Sequence, residues 1–76
     1  MVKTRETETG LRILIQDRQT GYYIGEQGTW EPDFHAARDF ANTTRASQFC
    51  FENKLRDVQI ALKFLNGIPD MVLPVR

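Results

Sequence analysis

The residues of this chain that could do chemistry are few: one histidine, one cysteine, and a small set of aromatics near arginines. His35 stands four residues before Asp39 and two after Asp33. On a helix, His35 and Asp39 would share a face and could offer a nitrogen and an oxygen to one metal ion. Zinc takes about three or four protein ligands, and the sequence has no second histidine or cysteine pair to complete such a set. A surface histidine beside solvated carboxylates is the stronger reading, and no metal or cofactor is expected. Cys50 lies in Phe49-Cys50-Phe51, on an apolar helical stripe. A nucleophilic cysteine needs a lowered pKa, whereas apolar burial raises it, so a core role is expected. A single histidine, with no nucleophile motif around it, makes no Ser-His-Asp arrangement. Gly21, Gly25 and Gly28 do not have phosphate-loop spacing and read as turn residues. Asn42-Thr43-Thr44 matches an N-glycosylation acceptor but is better placed as a helix cap.

The remaining candidates form a binding surface rather than a catalytic one. Tyr22 and Tyr23 are adjacent, and neighbouring residues of a strand point to opposite faces, so one of them must be at least partly exposed. With Arg12 or Arg18 from the same hairpin, and Trp30 following, such a tyrosine could stack a base or grip a peptide. The competing role is packing, with an edge tyrosine covering the sheet and Trp30 closing the core. Tyr22, Tyr23, Trp30, Arg12 and Arg18 are therefore the candidate binding residues.

Composition narrows the classes. The 76 residues carry ten basic and ten acidic side chains, for a formal net charge of zero. A nucleic-acid binder ordinarily has a basic excess to neutralise phosphates. Seven of the ten cations are arginines, and they are scattered along the chain. A lone cysteine excludes an intrachain disulfide, and small secreted domains usually depend on such bonds. With no apolar leader in Met1–Gly10 and no apolar run near the ~20 residues of a membrane span, the expected setting is cytoplasmic and away from membranes. A domain this small has a thin stability margin, which makes a partner or a self-dimer a reasonable expectation.

The elements that would position these residues follow from pattern and turn chemistry. Residues 1–10 are polar and read as a poorly ordered lead-in to a single domain over 11–76. Leu11, Ile13 and Ile15 alternate with Arg12, Leu14 and Gln16, the period of a strand. Asp17-Arg18-Gln19-Thr20-Gly21 has turn chemistry, and Tyr22-Tyr23-Ile24 returns as the second arm of a hairpin over 11–25. Pro32 and Asp33 suit the start of one or two helical turns over 32–38, with Phe40 as a core anchor after them. Asn42, Thr43 and Thr44 can cap a helix over 44–54 whose stripe is Ala46, Phe49, Cys50 and Asn53. Within 56–65, Val58, Ile60, Leu62 and Phe64 alternate as a third strand; the competing helix template from Leu55 through Val58, Leu62 and Leu65 leaves Ile60 and Phe64 poorly placed. Asn66-Gly67-Ile68-Pro69-Asp70 turns the chain into a short last strand at Met71-Val72-Leu73, which Pro74 ends. The expected fold is α+β: two β-hairpins flank a short helical turn and one main helix. Their strands form a four-stranded antiparallel sheet with the helix on one face.

Tyr23-Ile24-Gly25, Gly28-Thr29-Trp30, Ala37-Arg38-Asp39-Phe40 and Ala46, in that order over about residues 22–50, resemble small uncharacterised bacterial and phage-type α+β proteins. The resemblance implies a stand-alone small protein and carries no activity or site residue with it. The functional expectation is a non-enzymatic accessory or protein-interaction domain, binding a protein partner or itself through a sheet edge and exposed aromatics. The edge to consider first is the one carrying Tyr22 to Ile24, because Pro74 limits pairing at the other end. The alternative is a nucleic-acid-associated protein in which a tyrosine stacks and arginines touch phosphate, and clustering of three or more arginines on one face would favour it. An enzyme is the least favoured class.

Overall fold

The computed structural model describes residues 10–64 and 69–75. The expected lead-in over 1–10, apart from Gly10, lies outside the described residues, as does most of the Asn66–Asp70 turn. The alternating run from Leu11 to Asp17 forms strand β1, and Tyr23–Ile24 forms β2. Between them Asp17 accepts hydrogen bonds from the Thr20 backbone N–H and hydroxyl, both at 2.8 Å, and Gly21 takes a φ of 80°. That Asx-type turn closes the expected first hairpin.

The next segment departs from the four-stranded expectation. Gly25 and Gly28 fold the chain back on itself, so that Trp30–Glu31 forms an additional strand, β3, antiparallel to β2. The Gly25 N–H donates to the Thr29 carbonyl at 2.7 Å, and a Cβ at Gly25 would come within 2.9 Å of Glu31 Cγ. A larger residue there would have to displace the Glu31 side chain of the returning strand. Pro32 then ends β3 after two residues.

The short helical segment expected over 32–38 is a single 3-10 turn at Phe34–Ala36, capped by Asp33. Helix α1 spans Thr43–Glu52, with the Asn42 carboxamide oxygen accepting from the Arg45 N–H at 2.8 Å. Its end is a Schellman motif: the Leu55 N–H donates to the Cys50 carbonyl and the Lys54 N–H to that of Phe51. Lys54 occupies the left-handed position, with a φ of 53°. Strands β4 (Val58–Phe64) and β5 (Met71–Pro74) complete a five-stranded antiparallel sheet in the order β3-β2-β1-β4-β5. The α+β class therefore holds with five strands instead of four. The long central pairing joins β1 to β4, from Leu11 opposite Phe64 to Asp17 opposite Val58.

The sheet separates two apolar clusters. On the face that carries α1, Ile13, Ile15, Ile24, Val58 and Ile60 pack with Phe40, Ala46 and Cys50. The other face buries Leu14 and Ala61 beneath Ala37, with Tyr23 and Phe34 at the margin. This back-face cluster was not part of the sequence reading. It arises because residues 33–37 lie across the back of the sheet, after which the chain crosses to the helix side. At the crossing, the Arg38 N–H donates to the Ile24 carbonyl and the Phe40 N–H to that of Ile13. Among the expected helix-stripe residues, Ala46 and Cys50 are buried, Phe49 is half-buried and Asn53 is exposed.

Candidate interaction surface

The structure disperses the five residues singled out as a binding surface. Tyr22 lies beside the first turn, outside the strand, and is partly exposed. Tyr23 is half-buried on the back face, edge-on to Phe34 with ring centroids 6.5 Å apart. Trp30 sits opposite Ile24 on β3 and so shares its face, at the far margin of the sheet. Arg18 is exposed and pairs with Asp57 at 3.7 Å.

Arg12 is engaged within the protein. Its side chain is only 13% exposed, and it donates through Nε to Asp39 at 2.7 Å, through Nη1 to the Phe34 carbonyl at 2.8 Å and through Nη2 to the Ala37 carbonyl at 2.9 Å. A guanidinium holds its donors in a rigid planar fork, which suits it to clamp three acceptors of one loop. Here it fastens the 33–39 segment across the back of β1. Asp39 thus serves Arg12, and His35 instead pairs with Asp33 at 2.9 Å, which also accepts from the His35 backbone N–H. Those two hydrogen bonds, the backbone one first, hold the Asp33 carboxyl below its ordinary pKa. Phe34 stacks with the His35 ring, centroids 4.1 Å apart, and has the Lys63 ammonium 4.3 Å from its centroid.

The strand edge that was to be considered first is not an edge. β2 lies between β1 and β3, so the backbone near Tyr23 and Ile24 already has neighbours on both sides. The two outer strands are β3 and β5. At β5, proline chemistry determines which backbone groups face outward. Antiparallel partners alternate between pairs that exchange both hydrogen bonds and pairs that exchange none. Pro74 has no N–H, so its position opposite Gln59 must be a non-exchanging one. In the continuous register, Ile60–Leu73 and Leu62–Met71 are then the bonded pairs. Val72, opposite Ala61, turns its N–H and C=O away from β4 and into solvent.

The side chains around this free backbone are apolar. Met71 and Val72 are each 52% exposed, one on each face of the strand, and Leu73 and Val75 are half-buried against the helix-face core. No charge occurs from Met71 to Val75; the run is flanked in sequence by Asp70, which is bonded to Lys63 at 2.7 Å, and by Arg76. A cavity of about 540 Å³ opens between the end of α1 and Val75, lined by Cys50, Phe51, Lys54, Leu55 and Arg56. Phe51, 78% exposed, is the most open large apolar side chain among the described residues. On the other side, a cleft of about 270 Å³ runs from Arg18 to Val72, Pro74 and Val75. Arg18 is the member of the original five that borders β5.

The remaining polar groups of the described residues lie apart from this edge. No group of three or more His, Cys, Asp or Glu side chains able to hold a metal occurs among the described residues. Burial pushes the Cys50 thiol above its ordinary pKa, away from the reactive thiolate. Arg38 lies over the Phe40 and Phe49 rings, 5.3 and 4.9 Å from their centroids, and shares its cleft with both Arg45 and Glu52. No described helix is long and apolar enough to cross a membrane.

Sequence reasoning ranked the C-terminal strand behind Tyr22–Ile24 because Pro74 limits pairing there, although the same proline is a signal of an edge. The uncharged run Met71-Val72-Leu73 ends at Pro74, and proline in a strand belongs at an edge. No family model matches the chain, and no curated protein or solved structure matches it.

Proposed function

We propose that this chain is a small non-catalytic interaction domain that accepts an extended polypeptide segment along the free edge of β5. The observation that carries this reading is the outward-facing Val72 backbone, set between the exposed side chains of Met71 and Val72. Strand addition joins backbone hydrogen bonds to alternating side-chain contacts, and this edge offers both. Charged residues, bulges or covering loops blunt the edges of many sheets, and Met71–Pro74 has no charge of its own to repel an incoming strand. Phe51 and the cavity beside Val75 extend the apolar surface beyond the strand. A reducing, cytoplasmic setting is consistent with the single buried cysteine.

The nucleic-acid reading has less support. Arg12 is consumed by its internal clamp, Arg18 pairs with Asp57, and the cleft shared by Arg38 and Arg45 also contains Glu52. An enzymatic reading has, among the described residues, one exposed His35–Asp33 pair and no nucleophile beside it. Cys50 lies in the helix-face core, whereas His35 stacks on Phe34 over the back face.

The test is selection of extended, alternating peptides from a displayed library against the full chain, followed by amide-shift mapping of the binders. Shifts confined to residues 70–75 and Phe51 are expected. Val72→Pro should abolish binding while the domain stays folded, because it removes an N–H that faces away from β4. Binders that map elsewhere, or that are indifferent to Val72→Pro, would overturn the proposal.

A further inference from the structure

We infer that the strand received by β5 is the β5 of a second copy of this chain, paired antiparallel about a two-fold axis at Val72. This rests on the interaction reading above and names the partner. The edge is chemically lopsided: alternation from Val72 makes Asp70 a donor and acceptor at one end, while Pro74 can only accept at the other. With Val72 opposite Val72 of the second copy, the two valines exchange both backbone bonds. Each Asp70 then faces a Pro74, so its N–H donates to the proline carbonyl, while its own carbonyl, opposite the missing proline N–H, stays open to water at the end of the pairing. The two strands therefore exchange both bonds at the central Val72 pair and one at each end, with the prolines confined to the ends of the pairing.

The side chains agree with this register. Val72 lies against Val72 on the back face, and Met71 lies against Leu73 on the helix face, so the cross-strand contacts are apolar. Asp70 enters the pairing with its carboxylate already bonded to Lys63 of the same chain, 2.7 Å away. Two copies thus meet without a like-charge contact along the strand, and the zero net charge adds no long-range repulsion. Such an interface is isologous and closed, and it joins the two sheets into one. A contact built on one short strand is at the small end of specific interfaces, so the dimer should dissociate on dilution.

The test uses the full chain. Sedimentation velocity over a wide concentration range should show a monomer–dimer equilibrium, and Val72→Lys should weaken it by about tenfold or more by burying a charge in the pairing. Cross-linking fixes the register. Hydrogen-bonded antiparallel partners have Cα atoms about 5.5 Å apart, inside the span of a disulfide. Val72→Cys should therefore form a linked dimer under mild oxidation, about tenfold faster than Met71→Cys, whose cross-strand neighbour is Leu73. The wild type, with only buried Cys50, should not link. A chain monomeric at every concentration, or equal linking through Met71→Cys, overturns the inference. If peptides bind β5 while the chain stays monomeric, the second-copy inference alone fails; if neither occurs, both readings fall.

Discussion

The two outer strands of this sheet end alike and differ in almost everything else. β3 is followed by Pro32 and β5 closes on Pro74, so a proline limits each edge. β3 has two residues, includes an acidic side chain, and follows a turn closed on itself by the Gly25–Thr29 backbone bond and by the Thr29 hydroxyl donating to Glu31 at 2.7 Å. β5 has four residues, no charge, and an outward-facing backbone at Val72. Edge proline alone therefore does not protect a strand. Its position relative to the bonded pairs decides whether it removes an outward donor at the centre of the edge or only at its end.

The largest effect should come from the centre that both edges share. Leu14 is fully buried on the back face between Ala37 and Ala61, so Leu14→Ala is expected to cost about 3–4 kcal/mol. Chemical denaturation should register it, and amide exchange should rise at both ends of the sheet together. Arg12→Ala is expected to separate the ends. Losing a guanidinium that holds three acceptors should cost about 2 kcal/mol. Exchange should quicken at Ala37, Arg38 and Phe40, with β5 unchanged. Equal loosening at β5 would mean that the two sides are more tightly coupled than their separate contacts imply.

A smaller change of opposite sign should leave both edges alone. Lys54 occupies a left-handed C-terminal position, where glycine has no steric penalty. Lys54→Gly is expected to stabilise the domain by about 0.5–1 kcal/mol in thermal or denaturant unfolding. Such a variant would provide a background in which edge substitutions can be measured without unfolding.

The smallest effect is on the acid side. The Thr20 N–H, and then its hydroxyl, hold the Asp17 carboxyl below its ordinary pKa. A group depressed in the folded state contributes stability above its unfolded pKa, and that contribution is lost as pH falls through the folded value. Acid below about pH 4 should therefore loosen the β1–β2 turn before the β4–β5 side. Asp17→Asn should flatten this part of the pH–stability profile, as followed by Thr20 amide exchange.

Local pattern made most of the fold legible. Leu11, Ile13 and Ile15 marked β1, the Asp17–Gly21 turn marked its hairpin, and Asn42 supplied the helix cap. β3 escaped because two residues between glycine and proline have no period to read. The back-face layer escaped because the Arg12 clamp joins residues 22 to 27 positions apart, beyond any local spacing. That the sheet leaves two open edges was legible in the sequence; that Tyr22–Ile24 is not one of them was not. Which strand is outermost depends on the β1–β4 pairing, and that pairing is long-range.

The account turns on the orientation of the β5 backbone, and amide hydrogen exchange reads it directly. In dilute solution, Met71 and Leu73 should be protected by β4 while Val72 exchanges nearly as fast as an open chain. Occupation of the edge, at high protein concentration or by a selected peptide, should slow Val72 specifically. Protection of Val72 equal to that of Leu73 in the dilute monomer, or Val72 exchange unchanged when the edge is filled, would contradict it.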